Sequence, residues 1–422
     1  MTLPASTPAS PASSAPARLT AALALLSFVI PLSTDMYLPG FPAMARDLST
    51  DAAGVQLTLT AFLFGLAAGQ LVLGPLSDRY GRRRPILVGT GVCAIVTALC
   101  ALAPSLGALT GLRFLMGFSG AAGVVVGRAV VSDIASGDTA ARIFGTLMAL
   151  GGIAPIVAPL AGGAVVDGPG GWRAVFWVLA GASALMFLAA LFLVPETLPA
   201  GRRQSGGLGG TLKAAASVLA DRAYLGYTLA FCFAGATLFC YIAASPFLLQ
   251  NVLGLSVGEA SVAFSVGALA ATVSSAAATR LVGRYGSRRL LTAGLTVLLA
   301  SSAAALLVTA TGHLGRVWAL GLVGLGFLGL GQVFATGAGL ALARVPRAAG
   351  TGSAVLGTLQ SVLGAAVAPL MGIAGGHTAL PLFLGMTGCA LIAVLALLLT
   401  RPEGGPGVAE KPTLSPTGAN RP

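Results

Sequence analysis

Long apolar runs, broken by short charged or Gly/Pro-rich clusters, make up most of this chain. Twelve can be counted, over roughly residues 19–42, 54–76, 85–103, 107–131, 142–166, 173–194, 223–249, 258–282, 289–311, 315–341, 350–373 and 378–400. Each approaches the ~20 residues that carry a helix across a bilayer core. The pattern predicts an all-α membrane protein of twelve transmembrane helices. The first run could pass for a signal peptide. It leads, however, into Pro31-Leu-Ser-Thr-Asp-Met-Tyr-Leu-Pro39 with no small-residue cleavage site, and is read as an uncleaved span.

Residues 195–222 interrupt the runs with Pro195-Glu-Thr-Leu-Pro199 and Gly201-Arg-Arg-Gln-Ser-Gly-Gly207, and are expected to form a cytoplasmic linker. They separate an N-terminal six-helix bundle (18–194) from a C-terminal one (223–400). Residues 1–17 are almost entirely Pro, Ala, Ser and Thr, and 401–422 are polar and Pro/Gly-rich; both read as disordered tails.

The two bundles share a motif. Gly74-Pro-Leu-Ser-Asp-Arg-Tyr-Gly-Arg-Arg-Arg-Pro-Ile86 is the densest block of charge in a chain that is only 9% charged. Its segment Arg79-Tyr80-Gly81-Arg82-Arg83-Arg84 returns 205 positions later as Arg284-Tyr285-Gly286-Ser287-Arg288-Arg289. Val157-Ala-Pro-Leu160 likewise returns 210 positions on as Val367-Ala-Pro-Leu370. Two six-span halves suggest a pseudo-symmetric transporter with its site at their interface near mid-membrane.

Composition agrees. The chain is 56% hydrophobic with mean hydropathy +0.91, against roughly 45–50% apolar and about 25% charged for soluble domains. A formal charge of +12 would suggest nucleic acid in a soluble protein. Here the arginines sit in short loops between apolar spans, so a lipid bilayer is the expected partner and nucleic acid is not. With the N-terminus inside, 20 of the 24 Lys and Arg fall in cytoplasmic segments. Three fall outside (Arg46, Arg173 and Arg316), and Arg113 lies within a span. That bias places both termini in the cytoplasm. The five cysteines lie inside apolar runs with no CxxC pair and read as small core residues. His313 and His377 are isolated. No metal-site spacing, catalytic triad pattern or phosphate loop is present, so neither an enzyme nor a bound cofactor is expected.

Two ionisable residues lie clearly inside predicted spans, Asp35 and Arg113. A charge at that depth is costly, so it usually faces a cavity and finds a partner. Asp35 is either solvated at the outer end of its span, near Pro39 and Pro42, or exchanges a proton and helps bind cargo. Desolvation and a nearby cation would pull its proton affinity in opposite directions as access switches sides. Arg113 keeps its proton and is either a fixed charge in that site or an anchor to carbonyls of neighbouring helices.

The arginine loop also has two readings. Arg82, Arg83 and Arg84 satisfy topology alone, but topology has no need of Asp78, which can bond to arginines at a helix end. Gly74 and Gly81 allow close helix approach and a tight turn. Asp133 and Arg128, at the cytoplasmic end of the fourth span, can complete a network with Asp78, Arg79, Arg82 and Arg83 that latches one conformation. In the fifth span, Gly145, Ala154, Ala158, Pro159, Gly162 and Gly163 give a flat small-residue face with a kink.

On these residues the chain resembles a major facilitator superfamily drug/proton antiporter of the twelve-span type. Gly74-Pro-Leu-Ser-Asp-Arg-Tyr-Gly-Arg-Arg is close to the signature loop between the second and third spans. The fifth-span run resembles the antiporter motif, departing from it at Ala154 and Ala158, where the pattern has glycine. Leu32-Ser-Thr-Asp-Met-Tyr-Leu-Pro39, Gln56-Leu-Thr-Leu-Thr60 with Gly69-Gln70, and Gly171-Trp-Arg-Ala-Val-Phe176 look like the Bcr/CflA branch of bicyclomycin and chloramphenicol exporters. The resemblance implies two rocking six-helix bundles. It also implies proton coupling and cargo binding at Asp35 and Arg113, with Tyr37 beside them.

The expected function is proton-coupled export of small amphipathic drugs across the bacterial inner membrane, by a monomer powered by the proton gradient. Met116, Phe231, Tyr241 and Phe247 are candidate cavity-lining residues. The alternative on the same fold is a symporter or facilitator of a metabolite or nutrient, which transport persisting without a proton gradient would favour. A receptor would need a signalling domain that the linker and tails are too short to supply.

Overall fold

The computed structural model describes residues 17–135, 137–203, 215–373 and 375–400. The two predicted tails, apart from Ala17, and the middle of the linker lie outside the described residues. Every regular element among the described residues is helical. The first half comprises α1 (Ala17–Asp35), α2 (Ala52–Tyr80), α3 (Arg83–Ala101), α4 (Leu106–Ile134), α5 (Gly137–Val166) and α6 (Gly171–Leu193). The second comprises α7 (Arg222–Phe247), α8 (Val257–Tyr285), α9 (Ser287–Ala310), α10 (Arg316–Leu342), α11 (Ala349–Val367) and α12 (Leu380–Ala396). Eleven helical stretches among the described residues are long and apolar enough to cross a membrane, and α5 adds the apolar section Leu150–Val166.

Backbone N–H groups at a helix start need acceptors that the helix cannot supply. Asp51, Ser105, Asp221 and Ser256 provide them for α2, α4, α7 and α8, with Glu259 completing a capping box on α8. The first predicted span differs from a single helix over 19–42. It stops at Asp35, passes through a 3-10 turn at Leu38–Gly40 and resumes as a short helix, Phe41–Asp47. Pro39 and Pro42 lack the N–H that an unbroken helix would bond. The span thus ends where its acid sits. In the second half α7 continues into a wide π turn, Leu248–Val252, and α11 into a 3-10 turn, Ala368–Gly372, that contains Pro369.

Lipid is as apolar as leucine, so helices associate in it through close packing rather than through hiding from solvent. Glycines set the distance of approach. A Cβ on Gly65 would strike the Phe114 carbonyl, one on Gly117 the Phe62 carbonyl, and one on Gly69 the Phe118 carbonyl, so α2 and α4 touch backbone to backbone. In the second half Gly294 of α9 and Gly329 of α10 face each other's carbonyls at 2.7 and 2.6 Å from the added carbon.

The arginine loops lie at one end of the bundle, termed here the arginine end, and the opposite end is the far end. The halves meet along two seams, α2 with α11 and α5 with α8. Three hydrogen bonds cross between the halves among the described residues: Gln56 Nε2 to Ala243 O at 3.1 Å, Gln250 Nε2 to Pro39 O at 2.9 Å, and Thr272 Oγ1 to Gly152 O at 3.4 Å. The first two lie toward the far end and the third near mid-helix. The buried apolar core runs unbroken from the first half into the far-end part of the second. Nearer its arginine loop, the second half has a separate core of its own. The far end is the closed end.

Gly65→Ala is expected to lower the unfolding midpoint of the detergent-purified protein, with a loss of about 1–3 kcal/mol from overpacking. Gly111→Ala, where an added carbon meets nothing within 4 Å, is expected to be neutral or to stabilise by ~0.5–1 kcal/mol through helix propensity. Equal effects of the two would refute the backbone-contact account of α2–α4 packing.

Candidate functional site

Arg113 of α4 is completely buried in the first half. Its guanidinium lies between two rings, 4.2 Å from the Tyr37 centroid and 4.3 Å from that of Phe62, with Phe176 at 5.9 Å. A cation over aromatic faces is stabilised by the ring quadrupole, and most when desolvated. Nη1 donates to the Ser33 carbonyl at 3.2 Å and sits 3.4 Å from Met116 Sδ. Nε and Nη2 have no hydrogen-bond partner. Arg113 is thus both a cation held in a ring clamp and an anchor to a carbonyl of α1.

Asp35 ends α1, two residues beyond Ser33. It is only 4% exposed, and Oδ1 has no hydrogen-bond partner. It is not merely solvated at a span end. Nor does it form an ion pair with Arg113 or with any other described residue. The expectation that each intramembrane charge would find a partner is met for Arg113 by a carbonyl and aromatic rings, whereas Asp35 Oδ1 has none, and the two form no ion pair. Tyr37 is fully buried and lies 3.5 Å from Thr58 Oγ1 through its hydroxyl. The break in α1 follows directly on Asp35, and Tyr37, just beyond it, lies against Arg113.

At the arginine end, Arg82 donates to Asp78 Oδ1 at 2.5 Å, Asp133 Oδ2 at 2.9 Å and Ser77 Oγ at 2.8 Å. Gly81, at φ +91°, makes the turn that no side-chain-bearing residue adopts easily. A Cβ added to Gly74 would lie 3.4 Å from Val125 of α4. Arg79 lies over its neighbour Tyr80, and Arg83 donates to the Leu191 carbonyl at 3.0 Å. Arg128 does not join: its side chain is exposed and has no bond among the described residues. One turn of helix separates it from the acceptors that Asp133 offers to Arg82.

The acid that sequence reasoning passed over is Glu196. It accepts from the backbone N–H of Arg82 at 2.8 Å, Leu198 at 3.0 Å and Arg83 at 3.4 Å, and lies 3.9 Å from Arg203. Burial alone would raise its pKa, but the N–H groups of Leu198, Arg82 and Arg83 and the charge of Arg203 outweigh it, so the carboxyl sits below its ordinary 4.5. Thr197 donates to Asp133, closing the ring. The signal was present as an acid between two prolines directly after a span. Its meaning depended on the linker folding back beneath α3.

The small-residue face of α5 lies at a seam. Gly162 passes the Met36 carbonyl, just beyond α1, too closely for any side chain, and Gly163 does the same against Ser261 of α8. Ala154 and Ala158 are fully buried, Pro159 lies near Leu38 and Pro39, and Gly145 is on the same helix. The four cavity candidates do not converge. Met116 touches Arg113, whereas Phe231 packs on Phe334 inside the second half. Tyr241 packs on Phe264 and Phe327, and Phe247 meets Phe41 across the closed far end.

Residues 23–369 match the model of the Major Facilitator Superfamily. The chain belongs to that superfamily. It is 37% identical over 89% of its length, and 93% of the relative's, to the uncharacterized MFS-type transporter YdgK of Bacillus subtilis strain 168. It is 32% identical to the bicyclomycin resistance protein homolog of Haemophilus influenzae, over 89% of this chain and 94% of that one. The crystal structure of a bacterial homolog of the human lysosomal transporter Spinster has the same fold, with TM-score 0.69 at 18% identity over 92% of this chain and 97% of that one. The protein is therefore a multi-pass membrane transporter of small molecules rather than an enzyme, in the Bcr/CflA branch.

Glu196→Gln is expected to lower the unfolding midpoint at neutral pH. A depressed carboxyl pKa contributes stability above its unfolded value, near 4.5, and loses it as pH falls through the lower folded value. The difference between variant and parent should be full above about pH 4.5 and shrink below it. A gap that persists unchanged into acid would show that the charge is not what Glu196 supplies.

Proposed function

We propose that this transporter exports small amphipathic, antibiotic-like molecules across the bacterial inner membrane in exchange for protons, acting as a monomer. The observation that carries the reading is Asp35: a buried carboxyl with an unpaired oxygen, in the same buried region as an unpaired guanidinium. Such groups in a membrane mark substrate or proton paths. Arg113 cannot release its proton, so Asp35 is the member whose charge can change.

The sequence of events follows. With the arginine end facing the cytoplasm, a placement that the distribution of Lys and Arg supports, the closed far end faces outward. Cargo enters from the cytoplasm or inner leaflet and displaces the proton of Asp35. Opening the far end breaks the Gln56 and Gln250 bonds to opposite-half carbonyls and lets a proton reload Asp35 from outside. The Arg82 cluster ties α2, α4 and the linker into one body, so the first half moves as a unit. The bicyclomycin resistance homolog supports the antibiotic-like class of cargo.

Proton-gradient-driven efflux from vesicles, with a panel containing bicyclomycin-like and chloramphenicol-like compounds and one lipophilic cation, tests this. Asp35→Asn is expected to abolish cargo-dependent proton release and cut transport by at least about tenfold, the equivalent of ~1.4 kcal/mol. Undiminished proton-coupled efflux by the variant would remove Asp35 as the carrier. Transport that survives collapse of the gradient would favour a facilitator. Arg113→Lys keeps the charge but not the planar stack between Tyr37 and Phe62. It is expected to reduce transport while leaving the protein folded, and full activity would limit Arg113 to its charge.

A further inference from the structure

A cleft of about 480 Å³ lies between α8 and α10, with Tyr241 of α7 in its lining. Drug-sized ligands occupy pockets of roughly 300–1,000 Å³. Val262 and Val266 of α8 and Leu320 of α10 give the cleft exposed apolar walls, and Gly324 leaves room between them. A carbon added to Gly324 meets nothing within 4 Å. Because α8 ends at the second arginine loop, the opening turns that line the cleft lie in the far-end half of the membrane.

The lining constrains the occupant. Tyr241 is only 2% exposed, and its hydroxyl makes no hydrogen bond among the described residues. A phenol in an apolar wall gains by meeting a polar atom, which a hydrocarbon chain does not carry. Glu259 stands at the far-end mouth, its carboxylate accepting from Ser256 N–H at 2.8 Å and Ser256 Oγ at 2.9 Å. A negative charge there disfavours the head group of an acidic phospholipid.

The cleft also borders the seam between the halves. Tyr241 stacks on Phe264 at 5.5 Å and meets Phe327 edge-on at 5.2 Å. Phe264 in turn lines a small pocket between the halves together with Leu38, Pro39 and Gln250. Leu38 and Pro39 belong to the turn just beyond Asp35. One stacked ring pair thus stands between the cleft and the seam.

We propose, resting on the cargo class inferred above, that the cleft is a second cargo site. It takes neutral amphipathic molecules that bring an apolar body to the walls and a hydrogen-bonding group to the Tyr241 hydroxyl. Cargo freed at the opening seam passes the Phe264 ring, enters the cleft and leaves sideways between α8 and α10.

Photolabelling of the full chain in phosphatidylcholine vesicles with an aryl-diazirine derivative of chloramphenicol, mapped by peptide mass, tests this. Label is expected on the lining segments 255–270 and 320–324, and excess unmodified chloramphenicol should displace it. Gly324→Leu, which fills the cleft, is expected to cut the label about tenfold. Tyr241→Phe removes only the hydroxyl and should cut it about fivefold, as the loss of one hydrogen bond implies. Gly388→Leu on α12, where an added carbon is equally free, should stay within about twofold of the parent. A cleft without label overturns the second site, and label around Arg113 alone would leave the proposed function standing. Label that excess chloramphenicol does not displace, or that all three variants retain, would assign the cleft to bilayer lipid and overturn the proposal equally. Displaceable label in the cleft, with no export of chloramphenicol by the same vesicles, would support the site and count against the proposed function.

Discussion

Inside a bilayer, helices gain nothing by hiding apolar side chains from one another, and this constraint governs how the chain is built. What holds the spans together is the distance at which backbones can meet. Gly65, Gly69 and Gly117 set it between α2 and α4, Gly294 and Gly329 between α9 and α10, and Gly162 between α5 and the turn that follows α1. The same rule leaves few polar groups in the interior, so each one that remains has a large effect. Arg113 is tolerated because two rings and a carbonyl surround it.

The duplicated halves share a backbone but divide the labour. The first contains the buried acid, the buried base and the acid-rich loop network. The second contributes carbonyl acceptors, aromatic packing and an arginine loop of its own. Symmetry of fold thus coexists with asymmetry of charge.

Much of this was legible in the sequence. Twelve apolar runs, the 205-residue echo and the arginine bias define the fold, because span length and loop charge are local properties. Asp35, Tyr37 and Arg113 stood out for the same reason: polar residues in an apolar run need no alignment to be noticed. What was hidden depended on long-range folding. Glu196 lies 114 positions from the Arg82 backbone it receives, and nothing local signals that pairing. Arg128 was credited with a place in the network on proximity along the chain, but its side chain leaves the helix on another face. The aromatic candidates of the second half carried no directional signal, since a phenyl ring packs as well against a neighbour as it lines a cavity.

The far-end closure has a consequence for how such a chain can change over generations. Gln56 and Gln250 both bond to main-chain oxygens, those of Ala243 and Pro39. A main-chain acceptor is present whatever side chain occupies the position. Substitutions on the accepting segments therefore leave the acceptors in place, and neither half must track the other residue by residue. The two halves are free to diverge in the chemistry that selects cargo while the closure between them stays in register.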